Sequence, residues 1–187
     1  MTITYTNRRG KVYYLHSKPT KKGNIRYFFS TKTDGRLQDR IPDGYEVYEN
    51  ANAQVFLRKK QPQIITDEEL DIVRRVLRKH APEEWRYKAE IKKDAIVVHS
   101  ACQDYDRIEE TMPFGGRLSA EFKRQHATYM PIMRFTLVDR DDRRFYPERM
   151  CFRGEDHWIG VGDSGPLAWM ASKYIKHLGK ESFYELY

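Results

Sequence analysis

The sequence predicts an α+β protein: an N-terminal antiparallel β-hairpin sheet over residues 1–60, followed by an α+β body over residues 61–187. Three observations predict it. Aromatic and β-branched runs separated by Pro and Gly turns fill the first part. A Thr-x-x-Glu capping box opens a helix directly after it. An apolar stripe at helical spacing closes the chain.

Taken in order, Lys11–Ser17 and Asn24–Thr31 read as strands, and Lys18-Pro-Thr-Lys-Lys-Gly23 between them is a loop. A second hairpin joins Tyr45–Glu49 to Gln54–Arg58 through Asn50–Ala53. Pro42-Asp-Gly44 separates the two hairpins as a turn, because Pro restricts φ and Gly tolerates positive φ. Gln61-Pro-Gln63 is a short linker. In the helix that follows, Thr66 caps, Glu69 completes the box, Ile65 staples onto Leu70, and Leu70, Val73 and Leu77 form the buried stripe up to Pro82.

Trp85, Tyr87, Ala89 and Ile91 alternate with polar residues, which is the pattern of a half-buried strand. Lys92-Lys-Asp94 turns it into Ala95–His99. Between Gln103 and Tyr129 the pattern is weak: Phe114-Gly-Gly-Arg117 is a turn, and Ser119 caps a short helix through His126. Strands are expected at Ile132–Val138, Arg144–Tyr146, Met150–Phe152 and Trp158–Ile159. The last helix begins near Pro166. It places Leu167, Met170, Ala171, Tyr174, Ile175 and Leu178 on one face, with Gly179 at its C-terminal end.

The chain has 34 basic and 27 acidic residues, a net charge of +7. Eight of those cations, and no acid, lie in the first 33 residues; the remainder holds 26 bases against 27 acids, a net of −1. Charge segregated in this way faces a polyanion, of which nucleic acid is the commonest. Thirteen Tyr and nine Phe argue against disorder. No apolar run reaches the roughly 18 residues of a membrane helix, and no apolar stretch near Met1 resembles a secretory signal. Cys102 and Cys151 form neither a disulfide framework nor a zinc site and are expected as reduced, buried thiols. The setting expected is cytoplasmic, with no membrane partner and no cofactor.

Strand parity places Ile25, Tyr27 and Phe29 on one inward face, with Tyr13 and Leu15 beside them. The opposite face then carries Val12, Tyr14, His16, Arg26 and Phe28, flanked by Lys18, Lys21 and Lys22 in the loop. Arg8, Arg9 and Lys11 approach it from one side and Lys32 from the other. Cations neutralise phosphates and release counterions, while aromatic faces stack on bases. These eleven residues (Arg8, Arg9, Lys11, Tyr14, His16, Lys18, Lys21, Lys22, Arg26, Phe28 and Lys32) are the expected nucleic-acid-binding set of a non-enzymatic protein. An acidic protein partner is the alternative ligand for the same face. The competing structural account is that the lysines protect an edge strand from aggregation.

Other motifs carry less. Gly160-Val-Gly-Asp-Ser-Gly165 matches a dinucleotide fingerprint in letters only, since the residues after it read as helix rather than as a second parallel strand. A glycine turn with Asp163 or Ser164 capping the last helix is expected instead. Asp139-Arg-Asp-Asp142 reads as a charged β-turn. His99 with Cys102 lacks a visible reason to be an activated pair, and the six histidines have no metal-ligand spacing. Pro82-Glu83 followed by Glu90-Ile-Lys92 resembles the proline–acid and acid-x-lysine pattern of restriction-endonuclease-like nucleases over about eleven residues. That resemblance implies a metal-dependent nuclease using Glu83, Glu90 and Lys92.

Overall fold

The computed structural model describes residues 2–81, 83, 85–151 and 157–186. Its fold is mixed α+β with antiparallel sheets, and the chain divides into two compact units, Met1–Pro62 and Gln63–Tyr187.

In the first unit, β1 (Thr4–Thr6), β2 (Val12–Pro19) and β3 (Ile25–Ser30) form an antiparallel sheet in the order β1-β2-β3. Strand β1 was not expected; three residues are too few to show alternation. A separate hairpin pairs β4 (Tyr45–Glu49) with β5 (Val55–Lys59). It is tied to the first strand by Tyr5, which donates to Glu49 at 3.1 Å, and by Asn7, which donates to the Ala53 carbonyl at 2.7 Å. Tyr27 meets Tyr45 with ring centroids 6.5 Å apart.

Strand β2 is central because the chain crosses it. After β3, on one side of β2, the backbone returns on the other side. There Ser17 N–H donates to Arg36 O and Gln38 N–H donates to Leu15 O, both at 2.9 Å. Ile3 N–H in turn donates to Gln38 O, also at 2.9 Å. Residues 36–38 therefore continue the line of β1 along β2. The crossing segment passes over the His16 side of the sheet, where the Lys32 carbonyl lies 3.0 Å from His16 Nε2.

The second unit holds α1 (Asp67–His80), β6 (Tyr87–Lys92), β7 (Ala95–Ala101), α2 (Tyr105–Glu110), α3 (Ala120–His126), β8 (Tyr129–Asp139), β9 (Arg144–Cys151), β10 (His157–Gly160), β11 (Gly165–Pro166) and α4 (Leu167–Ile175). The strands form one antiparallel sheet in the order β10-β9-β8-β7-β6, with β11 also pairing to β9. Thr66 and Glu69 make the full capping box of α1, Glu69 N–H donating to Thr66 Oγ1 at 3.2 Å and Thr66 N–H to Glu69 Oε2 at 2.9 Å. Helices α1 and α4 pack together, and Leu70, Val73, Met170 and Tyr174 join Ile96, Val98, Phe135 and Phe145 in one core. Ser119 caps α3 as expected, whereas α2, capped by Asp104, was not foreseen. The two short strands expected at 144–146 and 150–152 are one strand to Cys151; Phe152, like Pro82, lies outside the described residues.

Two expectations about the last helix are corrected. It ends at Ile175 with Lys176 as its C-cap, so Gly179 lies beyond its C-terminal end. The residue at its N-cap is Pro166, with no side-chain cap, so neither Asp163 nor Ser164 performs that role. The reason is that Gly165 and Pro166 are drawn into a ladder with Phe145 and Arg144. The glycines of the motif make room for neighbours instead. A Cβ at Gly160 would lie 1.8 Å from Tyr146 Oη, and one at Gly162 would lie 2.0 Å from Tyr174 Oη. Asp139–Asp142 is the turn expected: Asp139 Oδ1 accepts the N–H groups of Asp141 and Asp142, each at 3.0 Å.

On the side chains that alternate with the core, Glu148 accepts from Arg134 Nε at 2.7 Å and Nη2 at 2.6 Å, and from Thr136 Oγ1 at 2.6 Å. Burial pushes the Glu148 carboxyl up, but the bonds from Arg134 and Thr136 and the Arg134 charge outweigh it and hold it below the ordinary value. A carboxylate depressed in the fold stabilises it above the unfolded pKa, and that contribution is lost as pH falls through the folded pKa.

Glu148→Gln is therefore expected to lower stability by about 2 kcal/mol at neutral pH. The gap from the parent should narrow as pH drops below the ordinary carboxylate range, read as urea midpoints across a pH series. Gly162→Ala should destabilise by about 1–3 kcal/mol and by more than Gly160→Ala. Tyr174 is buried at 1% exposure and has nowhere to move, while Tyr146 is half-buried and can swing aside.

Candidate nucleic-acid interface

The structure distributes the eleven expected residues over three places. Arg8, Arg9 and Lys11 sit in the β1–β2 turn, where Asn7 Oδ1 accepts the N–H groups of Arg9 at 3.0 Å and Lys11 at 2.8 Å. Lys18, Lys21, Lys22 and Arg26 lie at the other end of β2. Lys11 and Lys18 are seven residue steps apart along the chain, or about 23 Å at the rise of an extended strand. Tyr14, His16, Phe28 and Lys32 occupy the middle. The two basic groups thus stand at opposite ends of β2.

The first group is partly neutralised. Arg8 pairs with Glu49 at 3.5 Å and donates to the Asn50 carbonyl. Its charge is used within the fold, so it is not available to a ligand without breaking that pair.

The middle group is corrected in one respect: His16 is not on an exposed face. It is 4% exposed, stacked on Phe28 with ring centroids 5.4 Å apart and planes at 16°. Its other surroundings are the Lys32 carbonyl and Gly35, at which a Cβ would stand 3.6 Å from His16 Nδ1. Parity places His16 on the outward face; the crossing segment then covers that face. Tyr14 and Phe28 are half-buried as a result. A chain returning from over ten residues beyond a strand leaves no trace in that strand's own alternation.

The second group is open. Lys18 faces Arg26 directly across the β2–β3 ladder, on the same side of the sheet. All four cations are exposed, and among the described residues Lys21, Lys22 and Arg26 make no ion pair. Lys18 Nζ stands 5.6 Å from the centre of the Phe28 ring. The turn itself is closed by Thr20 N–H to Asn24 O at 2.7 Å and by Gly23 N–H to Thr20 O at 3.0 Å, Gly23 taking φ +80°. Like charges placed directly opposite are destabilising unless an anion lies between or above them. Ile25 departs from expectation too. Alternation assigns it to the inward face, yet it is 53% exposed, and Pro19 opposite it is exposed as well.

Elsewhere, the structure brings two residues of the nuclease pattern together, Glu90 and Lys92. Glu83 lies 3.8 Å from Arg86, whereas Glu90 is 3.1 Å from Lys92 and 3.4 Å from His99. Among the described residues no group of three His, Cys, Asp or Glu side chains is placed to hold a metal ion. Burial lowers the His99 pKa, a shift that nearby Glu90 opposes. Cys102 is exposed and Cys151 half-buried, so neither is the buried thiol expected, although both are free. Among the described residues no helix is long and apolar enough to cross a membrane.

No protein-family model matches the chain, and no curated protein or solved structure is similar to it.

His16→Ala removes a buried stack and the partner of the Lys32 carbonyl. It is expected to destabilise the first sheet by about 1–3 kcal/mol. The measurement is amide exchange at Ser17 and Gln38, whose N–H groups bond β2 to the returning segment and which should exchange faster.

Proposed function

We propose that this protein binds nucleic acid through its phosphate backbone, using Lys18, Lys21, Lys22 and Arg26 at the free end of the β2–β3 hairpin. The observation that carries this reading is the opposed, exposed Lys18–Arg26 pair with two further unpaired lysines beside it. Such a cluster is electrostatically unfavourable alone and becomes favourable when phosphates replace its counterions. Edge protection alone accounts for scattered lysines, not for two cations in register on one face.

The emphasis differs from the one drawn from sequence. His16 is enclosed and Phe28 already stacks on it, so charge rather than base stacking supplies the affinity. No catalytic step is assigned. The setting proposed is cytoplasmic, in keeping with two cysteines that are free.

Four phosphate contacts predict that affinity falls with salt, with a log–log slope of about −3 to −4 on duplex and somewhat shallower on single strands. Lys21→Glu, Lys22→Glu and Arg26→Glu together should abolish binding while leaving the circular dichroism spectrum unchanged, since none of the three is buried. Wild-type affinity in that triple variant would end the proposal. A partner that stays bound after nuclease treatment would instead identify an acidic protein as the ligand.

A further inference from the structure

We infer that the ligand is double-stranded DNA, entered through its major groove by the two-stranded ribbon at residues 18–26. The inference rests on the reading above and specifies the ligand of that site.

The ribbon is defined by exposure on both of its faces. Along β2, Leu15, His16 and Ser17 are buried, and the change at Lys18 is abrupt: from Lys18 to Arg26 every residue but Thr20 is exposed. The reason is topological. The backbone that completes the far side of β2 ends its bonding at Ser17, through Ser17 N–H to Arg36 O. Beyond that point β2 has β3 as its strand partner, with Lys18 opposite Arg26 and Pro19 opposite Ile25. The sheet thus narrows from three strands to two, and the last two pairs and their turn project from it.

The two faces of this projection differ in chemistry. Lys18 and Arg26 are on one, the apolar pair Pro19 and Ile25 on the other, and Lys21 and Lys22 are at the tip. An exposed isoleucine beside a cluster of cations has no role in purely electrostatic binding. It does have one in a groove whose walls are phosphates and whose floor carries thymine methyl groups.

Width selects the groove. Paired strands lie about 4.8 Å apart, and with side chains a two-stranded ribbon fits the major groove of B-form DNA, about 12 Å wide. The minor groove, about 6 Å wide, admits such a ribbon only where the duplex is bent and the groove widened, at a cost in deformation energy. The major groove of A-form RNA is deep and narrow and excludes it. With Ile25 and Pro19 facing the base edges, Lys21 and Lys22 at the tip meet phosphates along the walls, and the long side chains of Lys18 and Arg26 bend around the ribbon's edges to reach them.

The test compares the intact protein on duplex DNA, duplex RNA and single-stranded DNA of equal length and sequence, by fluorescence anisotropy at one fixed salt concentration. Duplex DNA is expected to bind about tenfold more tightly than duplex RNA. Ile25→Ser should weaken duplex DNA binding several-fold with the salt slope unchanged, because no charge is altered. Equal affinity for all three ligands, or a preference for RNA or single strands, overturns the groove inference and leaves phosphate binding standing. Absence of binding to every ligand overturns both. An unchanged affinity in Ile25→Ser removes the apolar face from the contact, and Pro19→Ser checks that result from the opposite strand.

Discussion

The His16 ring lies between Phe28 and the chain that returns across β2, and the first unit is organised around that enclosure. Its Nε2 meets the Lys32 carbonyl, its ring stacks on Phe28, and Gly35 passes close to Nδ1. With the ring in this place, the segment after β3 can reach the far side of β2 and bond to Leu15 and Ser17. That bonding sets where the three-stranded region stops. It stops one residue short of Lys18, and so the basic end of the hairpin stands alone. Enclosure of one imidazole and exposure of four cations are two consequences of one crossing.

The second unit is built on a different principle. Its antiparallel sheet buries one set of alternate side chains under α1 and α4, and on the other set it carries the Arg134–Glu148–Thr136 network. Both oxygens of the carboxylate accept hydrogen bonds within the network, which offsets the desolvation of a charge placed there. Tight spaces recur where β10 runs into α4. The buried Tyr174 hydroxyl occupies the place of a Cβ at Gly162, and the half-buried Tyr146 hydroxyl that of one at Gly160. A string of glycines that reads as a phosphate loop is, in this fold, a packing requirement.

Local chemistry made much of the secondary structure legible. The α1 capping box, the cap of α3 by Ser119, the Asp139–Asp142 turn and both early hairpins depend on residues within a few positions of one another. Failures share a cause. Strand β1 is too short to show a period, and β9 was split because Pro147, Glu148 and Arg149 lie in its middle. Arg149 is buried there by donating to the carbonyls of Tyr184 and Leu186, partners over thirty residues away. The candidate site was legible as charge and illegible as shape. All eleven residues belong to one stretch of sequence, yet β2 puts Arg8–Lys11 and Lys18–Arg26 at opposite ends.

The amino-acid sequence by itself determined the α+β class, the segregation of positive charge into the first 33 residues and the alternation within the two early hairpins. These follow from composition and from interactions between near neighbours, which are present before the chain folds. Tertiary structure alone decided which alternate face is covered. It buried His16, exposed Ile25, engaged Arg8 with Glu49, and left Lys18, Lys21, Lys22 and Arg26 clear. The physical reason is that coverage depends on where a distant segment crosses, and the identity of a residue carries no record of what will lie over it.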